Sequence, residues 1–276
     1  MKELLKTDLY RLVEGRHGRF LANPKDMYIG RSMIEYGEFS ELEWNLLDQM
    51  IRPGQVVIEA GANMGSFTVP IANKVGRRGI VYAFEPQLAI FQQLCANLAL
   101  NDLINVQAFN TGCGDEPGWM GIVRPDPAHE RNYGGFTLES LKGGSQTRVR
   151  IESLDEALDP PRLDLIKADV EGMEEQVLRG AKGLIAKFRP MLYLEAHNAE
   201  DTPGQIRLLQ DLGYKMWWHR PRMFNPDNFA GKSENHFGNV VSNNILCAPV
   251  EKKVQINGAR EVAGPDDHPS SWERPA

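Results

Sequence analysis

No apolar run in this 276-residue sequence approaches the ~18 residues that a membrane-crossing helix needs, so no membrane partner is expected. The opening Met1-Lys2-Glu3-Leu4-Leu5-Lys6 breaks its leucines with charges, unlike a secretory leader, and the reading is a cytoplasmic protein. Cysteine is scarce. Cys95, Cys113 and Cys247 form an odd, widely spaced set without a CxxC, which excludes a disulfide framework or zinc ribbon and leaves buried free thiols as the expectation. Positive charge is short as well. With Lys+Arg at 31 against Asp+Glu at 37, net −6, the chain lacks the overall basic footprint of a nucleic-acid binder. What is present is ordinary for a globular protein. An apolar fraction of 42% and a charged fraction of 25% exclude collagen-like, disordered and coiled-coil readings. The length suits one large domain, or one domain with additions.

Residues 1–52 read as an N-terminal approach segment with a helix. Ser40-Glu41-Leu42-Glu43 has the form of a capping box. Leu42, Leu46, Leu47 and Met50 follow on one helical face, and Pro53-Gly54 ends the helix. Residues 53–250 then alternate. Gln55-Val56-Val57-Ile58-Glu59 is a buried strand, followed by a glycine turn and a helix. Gly79-Ile80-Val81-Tyr82-Ala83-Phe84 is a second strand, residues 87–100 a helix with Phe91, Leu94, Cys95 and Leu98 on one face, and Val106-Gln107-Ala108-Phe109 a third strand. Strand, helix, strand, helix, strand is the signature of a parallel sheet. Residues 116–150, rich in Gly and Pro, read as a flap or hairpin insertion with strands near 119–124 and 147–152. The alternation resumes with strands at 163–168, 191–194, 214–218 and 244–248 and a helix opening at Pro203, where proline costs no hydrogen bond. Residues 251–276, polar and Pro/Gly-punctuated, read as a disordered tail. The expected fold class is α/β, a three-layer sandwich with a mostly parallel seven-stranded sheet.

Open α/β sheets bind ligands beyond the carboxyl ends of their strands. Glu59-Ala60-Gly61-Ala62-Asn63-Met64-Gly65 lies there after the first strand, and Glu85 ends the second, where a carboxylate can accept from both hydroxyls of a ribose. The pair points to a nucleoside-containing cofactor. Counting G-x-G-x-x-G from Gly61 puts the later glycines on Asn63 and Ser66, so the dinucleotide pattern fails, and no P-loop exists. Glu59 would repel a phosphate but welcome an ammonium or sulfonium, which favours S-adenosylmethionine over NAD.

Three blocks carry a resemblance. Val57-Ile58-Glu59-Ala60-Gly61-Ala62-Asn63-Met64-Gly65-Ser66-Phe67-Thr68, Val81-Tyr82-Ala83-Phe84-Glu85-Pro86, and Leu165-Ile166-Lys167-Ala168-Asp169-Val170-Glu171-Gly172-Met173-Glu174 resemble, in order, motifs of FkbM-family methyltransferases. The likeness spans about residues 30–220. It implies a class I Rossmann-like methyltransferase domain over 53–250 that uses S-adenosylmethionine. Glu59, Gly61 and Gly65 would cradle the methionine end, with Asn63 in the same turn and Asp169 at the facing strand end, Glu85 would hold the ribose, and Asp115 in Gly112-Cys113-Gly114-Asp115 matches the acid near the adenine amine. Glu59 stands where Asp is commoner in the family.

A protonated alcohol or amide needs a base as the methyl group arrives. Asp169 and Glu171, two residues apart at a strand end, are candidate base and hydroxyl binder, with helix capping as the alternative role. Glu195 and His197 form a second such pair, His197 as a base that titrates near pH ~6.5 and Glu195 as a substrate residue. Nothing in their spacing demands a metal. His219, Arg220 and the flap residue Tyr133 are further substrate candidates. The expected reaction is O-methylation of a hydroxyl on a sugar or natural product. The alternative is N-methylation of a side-chain amide or amine of a peptide, and a non-catalytic nucleoside-binding module and an NAD-dependent oxidoreductase are further rivals. The expected partner is a small-molecule or peptide acceptor, not nucleic acid, and a homodimer is left open.

Overall fold

The computed structural model describes residues 3–123, 129–139, 146–196, 198–254, 256 and 258–272. The chain opens with an antiparallel meander of β1 (Glu3–Lys6), β2 (Arg11–Gly15) and β3 (Gly18–Ala22), followed by α1 (Ile29–Tyr36) and α2 (Glu41–Met50). Then β4 (Val56–Ala60), α3 (Thr68–Val75), β5 (Ile80–Phe84), α4 (Leu88–Leu100) and β6 (Val106–Phe109) alternate. A second small sheet holds β7 (Gly112–Cys113), β8 (Gly118–Val123) and β9 (Gln146–Glu152). Next come α5 (Leu154–Ala157), β10 (Leu165–Ala168), α6 (Glu174–Arg179), α7 (Lys182–Phe188), β11 (Met191–Glu195), α8 (Thr202–Asp211), β12 (Tyr214–His219), β13 (Asn244–Pro249) and β14 (Arg260–Glu261).

The central sheet has eight strands in the order β14-β12-β13-β11-β10-β4-β5-β6. β4, β5, β6, β10 and β11 run parallel, and β13 is antiparallel to both of its neighbours, β11 and β12. Strands β4 and β10 are buried along their whole length, as strands covered on both faces must be. Side chains alternate between the faces. Ile58, Ile166, Leu192 and Leu194 pack with Leu178, Ile185, Ile206 and Leu209 of α6, α7 and α8. Val57, Leu165 and Tyr193 face the other way, against Trp44, Leu47, Ile71 and Val75 of α2 and α3.

Several expectations change. The central sheet has the seven expected strands plus one. The eighth is β14, so the segment expected as a disordered tail is in part a folded edge. Trp217 pairs with Glu261 and Trp218 with Arg260, and Trp272 packs on Trp218 with ring centroids 5.7 Å apart. One aromatic anchor within a polar stretch accounts for the difference. Residues 1–52 hold a meander that the sequence reading passed over. Ser40 does not close a capping box. It takes a left-handed conformation, φ 46°, and its hydroxyl donates to the Glu43 carboxylate at 3.0 Å. The buried side chains of α2 are Glu41, Glu43, Trp44 and Leu47, while Leu46 and Met50 of the expected apolar face are partly buried against the same core cluster. Cys113 and Cys247 are buried free thiols, but Cys95 sits on the exposed side of α4. Pro203 lies in the first turn of α8, as expected. No helix among the described residues is long and apolar enough to cross a membrane.

Candidate active site

The register of the parallel strands builds the site. Glu59 of β4, Lys167 of β10 and Tyr193 of β11 are direct cross-strand partners, so they stand side by side on the α2/α3 face of the sheet. All three are buried to within 1% of full coverage. A lysine buried this deeply requires compensating charge. Its ammonium lies 3.2 Å from Asp169 Oδ2 and 4.6 Å from the centre of the Phe67 ring. Burial pulls its pKa down, but Asp169, Glu43 and Glu59 together outweigh burial, and the net shift is upward. Burial pushes the Glu59 carboxyl up to about 7 against the pull of Lys167 and of the Thr68 hydroxyl, which donates to it at 2.7 Å. Glu43, reaching in from α2, is raised to about 7 in the same way.

The glycine turn closes this edge. Gly61 has φ +84°, and a Cβ added there would lie 1.8 Å from the Asp169 carbonyl oxygen, so only glycine lets the turn pass β10. Asn63 is also left-handed, φ 49°. Its N–H donates to Glu85 Oε2 at 3.1 Å, and the Gln87 N–H donates to Glu85 Oε1 at 2.7 Å. Burial nonetheless raises the Glu85 carboxyl to about 7. Glu171, φ 56°, is a third strained position beyond the strand ends.

These residues line a cleft of about 350 Å³ that Glu43, Glu59, Gly61, Asn63, Glu85, Lys167, Asp169, Glu171 and Glu195 share with Phe39, Asn132, Gly134 and the segment Val240–Asn243. A narrower pocket continues from Gly61, Glu85, Asp169 and Glu171, flanked by Pro86, Phe136, Leu138 and Met173. The hydroxyl of Thr111, also at this pocket, is buried with no hydrogen-bond partner among the described residues. A flat base would find apolar faces and an unsatisfied polar atom there.

Of the residues singled out from sequence, Glu59, Gly61, Asn63, Glu85, Asp169, Glu171 and Glu195 meet at the cleft. The others do not. Gly65 lies behind the turn, where an added Cβ would meet Leu94 at 2.9 Å. Asp115 is exposed and lines neither cavity, because β7 pairs with β9 and turns the chain outward. Tyr133 is buried in a separate apolar cavity with Pro86, Ile90 and Trp119, and its hydroxyl donates to the His129 carbonyl at 2.8 Å. Its flap neighbours Asn132 and Gly134 reach the cleft instead. His219 and Arg220 are displaced because β13 returns between β11 and β12, and they line a third cavity with Trp217, Trp218 and Trp272. His219 Nδ1 is 2.8 Å from the Tyr193 hydroxyl, and burial lowers its pKa to about 4, so it is neutral near pH 7. Arg220 Nε donates to Asn243 Oδ1 at 3.0 Å and so supports the cleft from behind. His197 lies outside the described residues.

Sequence reasoning missed Lys167, Glu43 and the segment 223–243. A lysine inside Leu165-Ile166-Lys167-Ala168, a run apolar on both faces, was itself the signal for the first.

Counting its strands from β4 and leaving aside the edge strand β14, the central sheet runs third, second, first, fourth, fifth, seventh, sixth, with the seventh antiparallel to the other six. With an acidic, glycine-cradled cleft at the carboxyl ends of its parallel strands, this is a class I methyltransferase. The sequence pattern of the methyltransferase FkbM domain matches residues 59–216, more than half of the chain, which therefore belongs to the FkbM family of S-adenosylmethionine-dependent methyltransferases. Methyltransferase sdnD of Sordaria araneosa is 27% identical over 205 residues, covering 63% of this chain and 78% of that protein. The 31-O-demethyl-FK506 methyltransferase FkbM of Streptomyces tacrolimicus is 25% identical over 194 residues, covering 59% and 74%. The AMB antimetabolite synthetase AmbE of Pseudomonas aeruginosa is 29% identical over 202 residues, 59% of this chain but 9% of that far longer protein.

Proposed function

We propose that this enzyme methylates a hydroxyl oxygen on a sugar or other natural product, with S-adenosylmethionine held between Glu59 and Glu85. The cofactor supplies a methyl group made electrophilic by a sulfonium. Glu85 accepts from the ribose hydroxyls through lone pairs that Asn63 and Gln87 leave open. The pocket flanked by Phe136, Leu138 and Met173 takes the adenine, and Thr111 offers its hydroxyl there. Glu59 and Asp169 face the cationic centre across Gly61. Asp169 also takes the proton of the acceptor hydroxyl, with Lys167 as its fixed counter-charge.

The Lys167–Asp169 pair at the mouth of the cleft carries the choice of oxygen. A hydroxyl is a poor nucleophile until a base removes its proton, and this carboxylate stands 38% exposed at the cleft beside a buried cation. The relative whose name specifies an O-demethyl substrate supports the same reading.

Calorimetry with S-adenosylhomocysteine and with NAD tests the cofactor. Micromolar binding of the first and none of the second is expected, and the reverse would end this reading. Glu85→Ala should weaken S-adenosylhomocysteine binding roughly 10–150-fold, the value of a hydrogen bond to a charged group. Asp169→Asn should cut turnover while leaving cofactor affinity largely intact.

A further inference from the structure

Part of the cleft lining comes from outside the residues that match the family pattern. Phe39 and Glu43 come from the segment before residue 59, and Met223 and Val240–Asn243 from the loop after residue 216. This part is where an acceptor would be selected, and Glu43 is its one carboxylate.

Glu43 is 4% exposed and lines the cleft. One carboxylate oxygen, Oε2, accepts from the Ser40 hydroxyl at 3.0 Å. The other has no hydrogen-bond partner among the described residues. The cleft lining carries six carboxylates, Glu43, Glu59, Glu85, Asp169, Glu171 and Glu195, and among the described residues a single cation, Lys167. That ammonium sits against Asp169 and is shared with Glu43 and Glu59. The positive cofactor centre would lie at the Glu59 and Asp169 end. Glu43 is thus a buried carboxylate with an open oxygen and only a share in a single ammonium, the other acids around it being Asp169 and Glu59. A phosphate or carboxylate entering beside Glu43 would meet three carboxylates around one ammonium, whereas a second ammonium would offset the excess.

We propose that the acceptor is a small hydroxylated amine and that Glu43 receives its ammonium group, placing the hydroxyl toward Asp169. The proposal rests on the methyl-transfer reading for the position of the hydroxyl. A cation beside Glu43 also favours the ionised carboxylate, which burial otherwise holds up near 7. Glu43 is a specificity residue, since it touches the acceptor and not the transferred carbon.

The test uses the full chain saturated with S-adenosylhomocysteine and three ring alcohols of one skeleton: aminocyclohexanol, cyclohexanediol and hydroxycyclohexanecarboxylate. Binding is read by ligand-observed NMR titration. The amine should bind at least ~10-fold more tightly than the diol, the lower end of what a hydrogen bond to a charged group is worth, and the carboxylate most weakly. Glu43→Gln should bring the amine to the level of the diol and leave S-adenosylhomocysteine affinity unchanged. Glu43→Asp, which keeps the charge, should retain part of the preference and serves in its place if the amide variant does not fold. Equal binding of the three, no binding of the amine, tight binding of the carboxylate, or an amine preference that survives Glu43→Gln overturns the proposal. Failure of S-adenosylhomocysteine to bind at all would instead overturn the methyl-transfer reading, so the two failures are distinct.

Discussion

At Gly61 the backbone runs against the Asp169 carbonyl with no room for a methyl group, at a φ that disfavours any L side chain. Gly61→Ala should therefore do more than perturb a turn. It pushes apart the two strand ends that carry the acidic edge, at a cost of ~1–3 kcal/mol in backbone strain alone. The expected result is a lower melting temperature together with weakened S-adenosylhomocysteine affinity by calorimetry. An alanine variant that binds like the parent would show that the cradle has slack. The acids of this edge were legible because strand ends can be found from β-branched runs and glycine turns. Two other residues were not read correctly. Lys167 stands out as a lysine in an apolar strand, but its acidic partners follow from cross-strand register, which a single segment does not reveal. Glu43 has the spacing of a helix cap, and its place at the cleft comes from the packing of α2 on the sheet, which the segment alone does not reveal.

Among the elements, those of the parallel half follow the sequence pattern closely, since period 2 and period 3.6 are local properties. The errors lie where an element depends on a distant partner. His219 and Arg220 end β12 as expected, but β13 separates them from β11, and strand order is not encoded in periodicity. The C-terminal segment is a similar case. Besides the pairing of β14 with β12, one tryptophan ties it down: Trp272 carries the Arg260 guanidinium 3.7 Å from its ring centre and donates from Nε1 to Asp267 Oδ1 at 2.8 Å. Trp272→Ala should lower stability by ~1–3 kcal/mol, the scale of lost aromatic packing together with one hydrogen bond. Thermal melting beside the parent checks this, and an unchanged transition would mean that β14 is not anchored there.

For the whole molecule, burial of acids sets a pH dependence. Glu43, Glu59 and Glu85 are held at about 7 and Glu174 at about 8, all from an ordinary value of 4.5. Each is raised by burial first, and Glu174 also by neighbouring Glu195. The folded chain thus binds more protons than the unfolded chain above pH 4.5, and this stabilisation is lost as pH rises through 7 to 8. Burial lowers His219 to about 4, so its opposing loss lies between pH 6.5 and 4, outside that window. Melting temperature should fall by a few degrees between pH ~6.5 and ~8.5, a shift of the size that ~1–2 kcal/mol gives in a chain of this length. Glu174→Gln should flatten the slope, and a transition that rises over this interval would contradict the buried-acid account. The position of β13 has a consequence for synthesis. It fills the gap between β11 and β12, and so the sheet cannot close until residues 244–249 have left the ribosome. Until then every nascent chain presents the naked hydrogen-bonding edge of Met191–Glu195, an apolar strand already joined to the parallel core and open to any other strand it meets. Pairing of β13 with β11 is thereby also the step that ends this edge's exposure to misassembly.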